Sequence, residues 1–257
     1  VQLGKQTNIG KNVAVVGGGN AAIDAARTAK RLGAENVTIV YRRLRDDMPA
    51  DPHEISEAEN EGINIRFLVT PTEIIGENGK VKMLRCQLLQ LSEFDKSGRR
   101  SPKPIEGSYI DIPVDAVISA ISQEPDLDYL EGTSIKVSRG KVVIDPCSGM
   151  TSCDGVFAGG DVVTGPATVI EAIGAGIKAA KEIDKYLGGT GEIPSDIEDI
   201  VIPPAPEDVE DIKEAPRAKM PTLPVEERTK DSEVEIGFSR DMAIAEANRC
   251  LRCDATN

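Results

Sequence analysis

Two groups of residues are best equipped for chemistry: Gly17-Gly18-Gly19-Asn20, and the paired guanidinium groups Arg42-Arg43. Both suit an anion. Gly17, Gly19 and Ala22 fit the spacing G-x-G-x-x-G/A. The first glycine permits a tight turn, the second lets a pyrophosphate approach the backbone, and Ala22 is small enough for a helix to pack closely on a strand. Phosphates would then meet unpaired N–H groups and the positive end of a helix opening at Asn20. The elements needed to position these groups are legible around them. Val13 to Val16 is an apolar run, an amphipathic segment extends to Leu32 and is stopped by Gly33, and Val37 to Tyr41 is a second apolar run. Strand, glycine turn, helix and strand thus fall within about thirty residues, the context that dinucleotide binding requires.

The end of the second strand sets the choice of dinucleotide. NAD-selective folds place an acid there to hold the ribose 2′-hydroxyl, whereas this chain has Tyr41-Arg42-Arg43. A carboxylate would repel a 2′-phosphate and a guanidinium can pair with it, so NADP(H) is preferred over NAD(H).

Composition narrows the class. At 257 residues the chain can hold one large domain or two smaller ones. No apolar run reaches the ~20 residues of a membrane span, and VQLGKQTNIGK is not a signal peptide. The expectation is a cytoplasmic protein. A net charge of −13 repels nucleic acid and anionic membranes, so neither is an expected partner and an anionic ligand needs a local basic pocket. Five cysteines form no disulfide framework, which favours reduced thiols.

Further along, Asp51-Pro52-His53-Glu54 offers an N-cap, a proline in the first turn and an acid three residues after the cap. This capping-box variant opens a helix ending near Glu61, with Gly62 beyond. His53, the single histidine, falls in that first turn and reads as a surface residue, because no nucleophile or metal-ligand pattern accompanies it. Ile63 to Val69 reads as a strand. Thr72 to Gly76 and Lys80 to Leu91 flank Asn78-Gly79, which favours a type I′ hairpin. A second hairpin joins Leu84 to Leu91 with Ser108 to Ile112 across a polar loop, giving an antiparallel appendage. Asp115 to Ile121 then returns as a buried strand with Ser122 at its C-terminal end, where open α/β sheets place ligands. Lys141 to Ile144 and Val156 to Ala158 read as short strands. Gly160-Asp161 follows in a turn, and a helix runs from about Ala167 to Leu187, in which Gly174 and Gly176 imply close backbone approach. From Gly188 to about Glu235 the chain is rich in Pro, Glu and Asp and reads as an extended arm. A last amphipathic segment carries Cys250 and Cys253 as C-x-x-C.

The strings VVGGGNAAIDAARTAKRLGAENVTIVYRR, MPADPHEISEAENEGI, LRCQLLQL with its SGRRSPKPIEGS loop, and GVFAGGDVVTGPATVIEAIGAGIKAAKEIDKYL carry a resemblance. Together they resemble the C-terminal part of glutamate synthase small-subunit-like NADPH oxidoreductases. Those are flavoproteins with two dinucleotide-binding domains, the NADPH domain being inserted into the FAD domain. The resemblance implies that Gly17, Gly19, Asn20 and Ala21 cradle the NADP pyrophosphate, with Arg42 and Arg43 on the 2′-phosphate. It implies that Gly160 and Asp161 meet the FAD ribityl-pyrophosphate region, while the backbone of Ala167, Thr168 and Val169 approaches the isoalloxazine. Ser122 stands where the family commonly has a glycine near the nicotinamide. Only one glycine fingerprint is present, so another subunit or a missing N-terminal half is the implied partner. EANRCLRCD resembles the family's iron–sulfur segments. A [4Fe-4S] cluster takes four thiolates and Cys250 with Cys253 supply two, so the pair is either half of a cluster site or an inert or redox-active thiol pair.

The expected fold is α/β: a Rossmann-like parallel sheet with an antiparallel β appendage, a partial FAD-domain segment and an irregular C-terminal arm. The expected divisions are residues 1–124 (NADP(H) domain), 125–188 (part of an FAD domain), 189–238 (arm) and 239–257 (short helix with C-x-x-C). Three functions follow. The first is an NADPH-dependent oxidoreductase segment, exchanging hydride between NADP(H) and FAD with onward transfer to iron–sulfur centres. The second is an NADP-binding module without turnover, and the third a scaffold docking another redox subunit. The cofactors carry such chemistry, so no Ser/His/Asp constellation is expected.

Overall fold

The computed structural model describes residues 8–94, 98–193 and 215–249. The chain divides into two compact units after Ile121, and the described residues 215–249 return to the first.

In the first unit, strand β1 (Asn12–Val16) enters helix α1 (Asn20–Arg31), and strand β2 (Asn36–Tyr41) follows. Helix α2 (Pro52–Asn60) leads to strand β3 (Asn64–Phe67). Strands β4 (Val69–Glu77), β5 (Lys80–Phe94) and β6 (Arg100–Pro113) intervene before strand β7 (Ala116–Ser119). Four strands form a parallel sheet in the order β3-β2-β1-β7, and β4-β5-β6 form an antiparallel one. The chain goes from β1 outward to β2 and β3, then returns to the other side of β1 as β7. The C-terminal end of β1 is therefore a topological switch point, where an open α/β sheet leaves a crevice.

Alternation along β1 explains the layers. Val13 and Val15 share a buried cluster with Ala22, Ile23 and Ala26 of α1 and Ile55 of α2. Ala14 points to a second cluster with Leu84 and Cys86 of β5 and Val114. The antiparallel sheet is thus the cover of the parallel sheet's second face, which accounts for the uninterrupted apolar run in β1. Asn78 and Gly79, at φ 52° and 72°, make the two-residue turn between β4 and β5, as a type I′ hairpin requires. Asp51 caps α2 by accepting the His53 N–H at 2.7 Å, but Glu54 pairs with Arg27 of α1 instead of completing the capping box.

Several expected boundaries move. Leu68 turns the chain at φ 56°, so Val69 begins β4 and does not end the preceding strand. Residues 100–107 belong to β6, which pairs with β5 as far as Phe94↔Arg100 through two register shifts, where a polar loop was expected. At the sheet edge β7 is four residues long, half-buried, and stops before Ile121.

In the second unit, strands β8 (Val137–Ser138) and β9 (Lys141–Val142) pair, helix α3 (Asp161–Thr164) is one turn, and helix α4 (Val169–Tyr186) is the longest element. Residues 156–158 form no strand: Phe157 makes one isolated bridge with Met150, too little pairing to propagate a ladder. Val142 is the one buried apolar side chain in this unit among the described residues. Within the arm expected to have weak local structure, residues 215–235 contain one bridge, Thr222↔Glu235, and helix α5 (Arg240–Ala247), capped by Ser239, forms where a short helix was expected. No helix among the described residues is long and apolar enough to cross a membrane.

Candidate functional site

Each glycine of the turn after β1 has a different reason to be glycine. Gly17 has φ 149°, and a Cβ there would lie 2.3 Å from the Ala120 carbonyl oxygen. At Gly18 a Cβ would lie 2.3 Å from the Tyr41 ring. Gly19 has neither constraint, since its φ is −91° and its notional Cβ has a nearest neighbour at 3.9 Å, Pro49. Protein packing explains the first two, and the open space at Gly19 suits a ligand pressed against the backbone. Helix α1 starts here without a side-chain cap and without an acid in its first turn. Its positive end is therefore open to an anion, with Asn20 and Ala21 exposed and Ala22 fully buried beneath.

The loop after β2 is fastened to this turn. The Ala50 N–H donates to the Gly18 carbonyl (3.1 Å), the Asp51 N–H to Asn20 Oδ1 (2.9 Å) and the Tyr41 hydroxyl to the Asp47 carbonyl (2.7 Å). Burial pushes the Tyr41 phenol above its ordinary pKa, which keeps it a donor at neutral pH. The two arginines differ. Arg43 is buried and its Nε donates to the Arg100 carbonyl (3.1 Å), whereas Arg42 is exposed.

Gly160, Asp161, Ala167, Thr168 and Val169 gather at one turn of the second unit. Gly160 has φ 71°, and Asp161 Oδ1 accepts the Ala167 N–H at 3.3 Å. Thr168 and Glu171 close a capping box, in which the Thr168 N–H and hydroxyl donate to Glu171 Oε2 at 2.9 and 2.8 Å. Those bonds hold the Glu171 carboxyl below its ordinary pKa. Two backbone donors of this turn are thus already engaged by the chain's own carboxylates. Ser122 lies beyond β7, in the second unit, with its hydroxyl donating to the Gln123 carbonyl (3.3 Å). Cys250 and Cys253 lie outside the described residues. No group of three or more His, Cys, Asp or Glu suited to a metal occurs among the described residues. Cys86 is buried and its thiol is pushed up to about 11, so it is inert at neutral pH.

A charged brace went unread in the sequence. Glu61, with 3% of its side chain exposed, receives Arg27 Nη2 at 3.0 Å, Arg31 Nη2 at 2.7 Å and Arg228 Nη1 at 2.9 Å. Glu57 Oε2 is buried without a hydrogen-bond partner, its charge met by Arg228 Nη1 at 2.7 Å outside hydrogen-bond geometry. Burial alone would raise both carboxyls, but the guanidinium groups outweigh it and hold them below their ordinary values. The brace joins α1, α2 and the C-terminal segment. A hollow of about 240 Å³ beside it is lined by Arg27, Arg31, Glu54 and Glu57, each already held in an ion pair, Arg27 with Glu54, Arg31 with Glu61 and Glu57 with Arg228. The signal was the spacing of Arg27 with Arg31 and of Glu57 with Glu61, one helical turn each.

The model of the pyridine nucleotide-disulphide oxidoreductase family matches residues 1–176. The chain is 45% identical to the NADP(+)-dependent formate dehydrogenase subunit beta of Moorella thermoacetica, over 95% of this chain and 36% of that protein. It is 39% identical to the glutamate synthase [NADPH] small chain of Azospirillum brasilense, over 72% of this chain and 39% of that one. Among solved structures, the thioredoxin reductase of T. acidophilum superposes with a TM-score of 0.53 at 26% identity, covering 70% of this chain and 53% of that one. The chain thus spans well under half the length of these two relatives.

Proposed function

Because the chain belongs to the pyridine nucleotide-disulphide oxidoreductase family, we propose that it is the NADP(H)-binding part, with a portion of the flavin-binding part, of an NADPH-dependent flavoprotein oxidoreductase resembling the glutamate synthase small chain. One observation carries the reading. At the switch point of the sheet, Gly19 has room that no protein atom uses, directly before an uncapped helix start.

The residues fit a dinucleotide. Gly17, Gly19, Asn20 and Ala21 would hold the pyrophosphate, Ala22 packs the helix on the strand beneath it, and the Arg42-Arg43 pair would mark the 2′-phosphate side. Ser122 is assigned to the nicotinamide side. The turn at Gly160, Asp161, Ala167, Thr168 and Val169 fits FAD in part: Asp161 is exposed at a helix start, but the capping box already uses the Thr168 N–H. When bound, the nicotinamide and flavin supply hydride exchange, and the protein's task is to bind and orient them. Cys250 and Cys253 would contribute two thiolates to a [4Fe-4S] cluster for onward electron transfer. We place the protein in the cytoplasm, in keeping with the free thiols Cys86, Cys147 and Cys153.

A partner completes the second unit in this reading. Helix α4 leaves Val169, Ile170, Ile173 and Ile177 between 51% and 81% exposed, an apolar stripe that suits further polypeptide of the same protein or another redox subunit. The same bare stripe favours a second reading, in which this chain by itself binds NADP(H) without turnover. Calorimetric titration with NADP+ and NAD+ tests the nucleotide site, and tighter binding of NADP+ is expected. Added FAD separates the two readings: flavin absorbance that co-purifies and bleaches with NADPH supports turnover, and a colourless chain that still binds NADP+ supports the module. Absence of binding by either dinucleotide overturns both.

A further inference from the structure

The inference rests on the NADP(H) reading and concerns which residues read the 2′-phosphate. Three arginines, Arg42, Arg43 and Arg45, follow β2, and the structure engages two of them elsewhere. Arg45 reaches α2, with Nη2 donating to Ser56 Oγ at 3.1 Å and to Glu59 Oε2 at 3.0 Å. Arg43 is 6% exposed, its Nε donates to the Arg100 carbonyl at 3.1 Å, and its own carbonyl accepts the Leu68 N–H at 3.3 Å. It ties the end of the parallel sheet to β6. Arg42 is exposed and makes no hydrogen bond or ion pair among the described residues.

The loop carrying Arg42 is held from both sides. The Tyr41 ring fills the space a side chain at Gly18 would take, and its hydroxyl holds the Asp47 carbonyl at 2.7 Å. Asp47 in turn accepts the Leu44 N–H at 3.3 Å. At the far end, Asn20 at the start of α1 accepts the Asp51 N–H at 2.9 Å. Glycine turn and loop therefore form one frame, with a single open guanidinium on it.

We propose that Arg42 alone reads the 2′-phosphate, that Tyr41 and Asn20 are positioning residues which hold its loop in register with the glycine turn, and that Arg43 is a strut between the two sheets. A guanidinium meeting a phosphate gains charge-assisted hydrogen bonds only if it is held where they form, so discrimination depends on the frame as well as on the charge.

The test is the ratio of NADP+ to NAD+ affinity, measured by calorimetry on the full 257-residue chain. Arg42→Gln is expected to weaken NADP+ by about tenfold or more and leave NAD+ unchanged. Arg43→Gln is expected to lower the melting temperature and weaken both dinucleotides alike, keeping the ratio. Tyr41→Phe, which retains the ring, and Asn20→Ala are each expected to reduce the ratio several-fold. A purely structural role for either would weaken both dinucleotides equally and overturn the positioning claim. Collapse of the ratio in Arg43→Gln but not in Arg42→Gln would overturn the assignment of the reader. If the unsubstituted chain binds neither dinucleotide, the parent reading fails, and this one fails with it.

Discussion

Helices α1 and α4 each follow a glycine-rich turn, yet the chain treats them in opposite ways. Helix α1 buries Ala22, Ile23, Ala26 and Ala29 to 2% exposure or less and leaves its N-terminus uncapped. Helix α4 buries no residue and has its N-terminus closed by Thr168 and Glu171. An apolar face against a sheet supplies most of a helix's stability in a folded domain, so α1 can leave its first turn open for an anion. Helix α4 lacks that support and depends on its cap. The first unit covers the apolar face of its helix, while the second leaves that of α4 exposed.

The sharpest way to break this comparison is at glycine. Gly17→Val should destabilise the first unit by about 4 kcal/mol, combining a disfavoured φ with overpacking against the Ala120 carbonyl. Urea unfolding at constant m-value would measure it, and a loss below 1 kcal/mol would mean that the turn is far softer than its geometry. Next in size, Arg228→Ala should cost about 3 kcal/mol, because Glu57 is left buried without its countercharge. The pH dependence has a definite sign. Glu57 and Glu61 are held below an ordinary value of 4.5, so their contribution is complete at neutral pH and is lost as pH falls below that value through their folded pKa values. Arg228→Ala should flatten the acid limb of the stability curve, and an unchanged limb would count against the brace.

A smaller effect separates binding from stability. Gly19→Ser offers α1 the hydroxyl cap it lacks, in a place where the nearest atom to a Cβ is 3.9 Å away. It should raise stability by roughly 0.3 kcal/mol while weakening NADP+ by about tenfold, since the side chain takes the ligand's space. Retention of full affinity would show that Gly19 does not face the pyrophosphate. Smaller than that tenfold loss of affinity, Gly176→Ala should stabilise this chain by about 0.8 kcal/mol, because a Cβ there meets nothing and alanine is the better helix former. Thermal unfolding would read the gain. Replacing glycine is thus destabilising at Gly17 and stabilising at Gly176, and a destabilising Gly176→Ala would show that α4 is already covered.

Much of the first unit was readable because its signals are local. The strand–turn–helix–strand run, the Asn78-Gly79 hairpin and the Asp51 cap each follow from residues within a few positions of one another. The extension of β6 to Arg100 was hidden because Pro102, Pro104 and Gly107 look like loop residues, although strand pairing with β5 accommodates them through register shifts. The difference between Arg42 and Arg43 could not be read either. Neighbouring strand-end residues point to opposite sides, and which side is covered depended on a hairpin some sixty residues away in sequence.

By itself, the sequence determined the periods of the apolar residues, the site of the glycine turn, and the anion-friendly helix start, since each depends on steric and hydrogen-bonding rules that act over one turn of chain. Tertiary structure alone decided that Gly19 is free while Gly17 and Gly18 are not, that Arg43 is buried and Arg42 open, and that Arg228 closes a brace on Glu57 and Glu61. Those outcomes depend on which distant surfaces meet, and burial and charge pairing are properties of the meeting, not of either partner.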